Sequence, residues 1–191
     1  NEALADGGGL GQYGLRESLF LTTLGEDYIA DAFHAARSAD PDARLFYTAY
    51  GSLDGAYKTD RAVGLQCHIT ASMAPSQQTV QSVLQRFAAL GLAVHISELD
   101  VRIRDLAGPE DERLFAQALV VWRIANACAA QPACDLLTFW GFTDRYSWID
   151  SWYGEDDPLL FDEDMNPKPA FDAVIQAMSG EAPQGCSDER L

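Results

Sequence analysis

The chain has 191 residues, 13 Lys+Arg against 29 Asp+Glu, a formal charge of −16 and 48% hydrophobic residues. That apolar share can bury a core, which excludes disorder, and the length suits one domain. The acidity, with no Lys/Arg cluster to relieve it, excludes nucleic acid as a partner, and no apolar run approaches the ~20 residues of a membrane span.

The chain opens on Asn1 with no signal-peptide pattern, so a processed chain or a piece of a longer one is expected. Residues 3–18 carry Gly7, Gly8, Gly9, Gly11 and Gly14 and read as a loop. Ile29, Phe33 and Ala36 predict a helix over 26–38, ended by Asp40-Pro41. Strands are expected over 44–49 and 63–69. Val80, Val83, Leu84, Phe87 and Leu90 line one side of a helix over 76–90, closed by Gly91. A third strand covers 92–99. A long helix follows over 110–130, with Leu114, Ala118, Trp122 and Ala125 on one face, then a fourth strand over 136–140 and a last helix over 169–178.

This alternation predicts parallel βαβ units, and the near-continuously apolar strands are those of a sheet buried on both faces. An open doubly wound sheet competes with part of a (β/α)8 barrel. No Gly-rich nucleotide fingerprint follows any strand, which weighs against the first. A whole barrel needs ~250 residues, so the second is a partial one.

In barrels, functional side chains gather where strands end. The third strand places Glu98 and Asp100 there, the second Gln66, Cys67 and His68, and the fourth Trp140, followed by a loop over 143–148 with Trp148. Carboxylates beside aromatic platforms suit sugar rings: the indole stacks on the C–H face and the carboxyls break the glycosidic bond. Each residue has a plainer alternative: a solvated Glu98, a core Trp140, a satisfied buried imidazole at His68. His34 and His95 have no supporting pattern. The histidines form no ligand cluster with Cys or Asp, so neither a metal nor another cofactor is implied. Cys128 and Cys134, six apart, either close a small loop, which points to an oxidising compartment, or are two thiols.

Four stretches resemble glycoside hydrolase family 10, the (β/α)8 xylanases. HISELDV (95–101) resembles its nucleophile segment, and VGLQCHI (63–69) its sixth strand. TFWGFTDRYSWI (138–149) is similar to its eighth strand and loop, and LLFDEDMNPKPAFDAV (159–174) to the approach to its last helix. The opening Asn1-Glu2-Ala3 resembles the family's Val-Asn-Glu acid/base motif, cut just before the Asn.

The resemblance implies a partial barrel from the end of strand four to helix eight, over 1–179, with 180–191 a polar tail or linker start. It implies Glu2 as general acid/base, Glu98 as nucleophile, His68 bonded to Glu98 and oriented by Asp100, and Asn1 holding a hydroxyl beside the cleaved bond. Gln66, Trp140, Trp148 and Tyr50 would line the sugar site, and Cys128 and Cys134 would form a disulfide.

Two departures stand out. Strands one to three and most of four are absent, and only 12 residues separate Tyr50 from Val63, where a crossover helix barely fits. The expected protein is the C-terminal portion of a secreted retaining endo-1,4-β-xylanase acting on xylan or xylo-oligosaccharides. Its partner would be the missing N-terminal half of the barrel, and the isolated piece is expected to be inactive. A non-catalytic carbohydrate-binding relic of that family, or an unrelated open α/β protein, are the alternatives.

Overall fold

The structure is a computed structural model and describes residues 2–5, 14–49 and 64–183. Five parallel strands build the sheet: β1 (Thr48–Ala49), β2 (Gly64–Leu65), β3 (His68–Thr70), β4 (Val94–Arg102) and β5 (Cys134–Phe139). β2 and β3 are two parts of one line, and both pair with β4. Across the sheet, β1 meets β2, the β2–β3 line meets β4, and β4 meets β5. Space therefore follows chain order, as along an arc of a (β/α)8 barrel, whereas a doubly wound sheet reverses direction.

Three helices cover this arc. Helix α3 (Gln77–Ala89) starts at Ser76, whose hydroxyl accepts from Thr79 N at 3.1 Å, and buries Val80, Val83, Leu84 and Phe87. Helix α4 (Glu110–Ala129) has Glu110, Asp111 and Glu112 in its first turn, where the helix dipole favours negative charge, and buries nine residues. Helix α6 (Pro169–Ser179) begins with proline and ends at Gly180, φ +73°. Its Ala170, Ala173 and Ala177 are buried, the last two packed with Ala118, Trp122 and Ala125 of α4, because small side chains let two helices approach closely. The Trp122 indole donates to Glu181 O at 2.9 Å, so residues just past α6 are held to α4. Cys128 and Cys134 are disulfide-bonded, tying the end of α4 to the start of β5.

Several boundaries differ from the sequence reading. β4 continues to Arg102, three residues beyond the expected end, because β3 pairs with it over Asp100–Arg102. The first strand shrinks to two ladder residues. Helix α1 (Leu19–Leu24) follows directly on the Gly-rich stretch, and helix α5 (Trp148–Tyr153) follows a 3-10 turn in the expected loop. Six residues are too few to display a 3.6-residue period, so their caps, Ser18 and Ser147, were the available signals. Helix α2 (Tyr28–Ala39) forms close to expectation. The shortened crossover and Tyr50 lie outside the described residues. Among the described residues no helix is long and apolar enough to cross a membrane.

Candidate active site

β4 carries the central side chains, and its backbone is irregular where they sit. Along its start, Val94 and Ile96 are buried; further on the buried residues are Leu99, Asp100 and Val101. The parity changes because the register against β5 shifts between Ile96 and Leu99. On the other side, Gly64 pairs with His95 but His68 with Asp100, so five steps on β4 face four on its neighbour. Opposite this extra β4 residue, Cys67 has a φ of +66°. Such bulges re-aim side chains, and here they bracket Glu98.

Because His68 and Asp100 are register partners, their side chains meet: His68 Nδ1 lies 2.7 Å from Asp100 Oδ2. The other ring nitrogen, Nε2, lies 3.4 Å from Glu98 Oε2. Burial pulls the imidazole's pKa down, but the hydrogen bond and charge of Asp100, joined by Glu98, outweigh it and leave it above the usual value of 6.5. The imidazole therefore favours its charged form between two carboxylates. The Trp148 indole donates to the same Asp100 Oδ2 at 2.9 Å, with its ring 4.9 Å from His68 in an edge-on arrangement. Trp140 also stands edge-on to His68, at 6.5 Å, and is 51% exposed, so it forms a platform open to solvent rather than core.

Glu2 joins from outside the main sheet. Its N–H donates to Thr48 O of β1 at 2.9 Å, and Arg16 Nε donates to its carbonyl at 3.1 Å. Its φ of +54° is a conformation that costs a non-glycine residue about 1 kcal/mol or more. Buried Gln66 links the two carboxylate residues: its side-chain Nε2 donates to Glu2 Oε1 at 3.0 Å, and its main-chain carbonyl accepts from Glu98 N at 3.1 Å. Glu2, Gln66, His68, Glu98, Asp100, Trp140 and Trp148 are thus brought together. Asn1 lies outside the described residues, as does Tyr50. His95 belongs elsewhere, pairing with Asp135 at 2.9 Å and stacking on Phe46 where β4 begins.

A second polar cluster, missed in the sequence, anchors the segment that carries Trp148. Asp144 and Lys168 are both buried and pair at 2.7 Å; Asp144 Oδ1 accepts from Leu159 N, and Lys168 Nζ donates to Asp157 O, each at 2.7 Å. Burial pushes the Asp144 carboxyl up to about 6 against the pull of Lys168. Nothing in the polar run around Lys168 signals a buried ammonium. Among the described residues no group of three or more His, Cys, Asp or Glu is arranged to hold a metal.

The sequence profile of glycosyl hydrolase family 10 matches residues 1–177. Endo-1,4-beta-xylanase 1 of Humicola insolens is 34% identical over 94% of this chain and 44% of its own length. Endo-1,4-beta-xylanase 5 of Pyricularia oryzae is 36% identical over 95% of this chain and 48% of its own. Among solved structures, native xylanase 10B from Thermotoga maritima superposes with a TM-score of 0.84 at 36% identity, covering 94% of this chain and 58% of that one. A Thermotoga petrophila xylanase 10B in complex with xylobiose gives the same TM-score at 35% identity. The chain thus spans about half the length of the relatives it matches.

Proposed function

The chain belongs to glycosyl hydrolase family 10, and from that premise we propose that it carries the catalytic carboxylates of an endo-1,4-β-xylanase that cleaves internal β-1,4-xylosidic bonds with retention of configuration. The observation that supports this best is the contact series from Glu2 through Gln66 to Glu98, His68 and Asp100.

In this reading, a Glu98 oxygen bonds to the anomeric carbon as the bond to the leaving oxygen breaks, and Glu2 supplies that oxygen with a proton. Water then gives a proton back to Glu2, its oxygen bonds to the anomeric carbon, and Glu98 departs as carboxylate. His68, held by Asp100 and with its Nε2 3.4 Å from Glu98 Oε2, orients the Glu98 carboxylate for both its attack and its departure. Trp140 and Trp148 flank the sugar, Asn1 holds a hydroxyl next to the cleaved bond, and Tyr50 serves the leaving-group side. Residues 1–179 are the C-terminal part of the catalytic barrel, with 180–191 a polar tail or linker start. Secretion fits the disulfide.

The test is hydrolysis of xylan and aryl β-xylobiosides. In the full-length enzyme, Glu98→Ala is expected to abolish turnover, with azide restoring it as an inverted product. Glu2→Ala is expected to slow substrates with poor leaving groups most. Wild-type-like activity in Glu98→Ala sinks the assignment. A second reading, xylo-oligosaccharide binding without turnover, is favoured by one observation: among the described residues β5 has a ladder on one side only. Binding of xylotriose by calorimetry with no reducing ends released selects it.

A further inference from the structure

The wall that holds Trp148 has its own support, built from residues that the site itself does not use. On the one-and-a-half-turn helix α5, Trp148 is first and Tyr153 last, and their rings meet edge-on at 5.9 Å. Tyr153 is in turn covered by Arg102, whose guanidinium carbon lies 4.1 Å from the ring centroid. Arg102 is the last residue of β4, two beyond Asp100, and its guanidinium also donates to the Thr70 hydroxyl at the end of β3. The neighbouring Arg104 donates to the Tyr153 carbonyl. Asp156 Oδ1 accepts from the main-chain N–H groups of Ile103 at 2.9 Å and Arg104 at 3.1 Å, so the segment after α5 is fixed to the end of β4.

The geometry points to Tyr153, clamped by Arg102, as a positioning residue for Trp148. The aromatic contact fixes the rotamer in which the indole N–H reaches Asp100 Oδ2, and through Asp100 the orientation of His68. A planar guanidinium over an aromatic face is attractive and directional, and it costs little ordering because the fork is already held by Thr70. The indole has two tasks that need the same orientation: its face borders the site and its edge satisfies a buried carboxylate. The edge-on contact with Tyr153, itself covered by Arg102, provides that orientation, which backbone anchoring of a six-residue helix does not. The inference rests on the reading above only in calling the site a sugar site; the contacts and their test do not depend on it.

The experiment is nuclear magnetic resonance of the Trp148 indole N–H, assigned with Trp148→Phe, in the 191-residue chain. Tyr153→Ala and Arg102→Met are expected to move that resonance towards its solvent-exposed position and to raise its hydrogen-exchange rate at least tenfold. Tyr153→Phe, which keeps the ring, retains the wild-type signal. Arg102→Lys, which keeps charge but loses the plane, falls between. An unchanged indole signal in Tyr153→Ala, or loss in Tyr153→Phe equal to that in Tyr153→Ala, overturns the proposal. Should Tyr153→Ala fail to give a folded amide spectrum, Arg102→Met decides alone: loss supports the clamp and retention refutes it. A full-length enzyme that turns over xylan as well with Glu98→Ala as without it, while the indole responds as expected, removes the enzyme reading and leaves the clamp standing.

Discussion

Helices α2 and α4 are both amphipathic, yet they occupy opposite conditions. Helix α4 buries nine residues, among them Val121, Ile124 and Ala125 at 1% exposure or less, whereas α1 and α2 bury none. Phe20 and Leu24 of α1 are 63% and 56% exposed, and with Tyr28, Ile29 and Phe33 they line an apolar groove of about 660 Å³. An apolar stripe states that a face wants cover; only a second surface at the right distance supplies the energy. In α4 that surface is the sheet on one side and α6 on the other. In α1 and α2 the described residues supply no such surface, so the same kind of pattern contributes little.

Substitutions on either side of this contrast test it. The largest loss is expected for Lys168→Met, which strands the buried Asp144 carboxylate: about 3–5 kcal/mol in urea denaturation at pH 7.5. Ile124→Ala in α4 opens a cavity against the sheet and is expected to cost about 2–5 kcal/mol by the same assay. A smaller effect is carried by His68. Its folded pKa lies above the unfolded value, so the stability it adds is complete below about pH 6.5 and is lost as pH rises through the folded value. Urea midpoints followed upward from pH 6 are expected to fall more steeply in the wild type than in His68→Gln. Equal slopes would remove the charged imidazole from the account. Smallest of all is Phe20→Ser in α1, within about 0.5 kcal/mol of zero. A core-sized loss there would show that the groove is covered in solution, and the comparison would collapse.

Much of this was legible in the residues, for reasons that differ by element. Helix α3 announced itself through Val80, Val83, Leu84 and Phe87, since burial on one face imposes the period that the eye detects. Glu98, Asp100 and His68 were singled out as strand-end residues, and they do lie together although β4 runs on to Arg102 and His68 begins β3, because neighbouring parallel strands set them side by side. What stayed hidden depends on register and depth. No pattern reveals the slip of β4 against both neighbours, because it follows from pairing between distant segments. The Trp148 donation to Asp100 required α5, which is too short to show a period. Lys168 reads as a surface lysine between two prolines, and only the folded chain shows it enclosed.

Gln66 has a consequence for the direction of proton traffic. Its amide nitrogen carries hydrogens and no lone pair to offer, and it points them at Glu2 Oε1. A proton placed on that oxygen would occupy one of its two acceptor sites and weaken the bond. A neutral Glu2 that keeps this bond therefore carries its hydrogen on Oε2, and in the proposed reaction that oxygen would be the delivery atom. The amide thereby converts a symmetric carboxyl into a donor with a defined side. Gln66→Glu would remove that N–H, and with it the choice of oxygen.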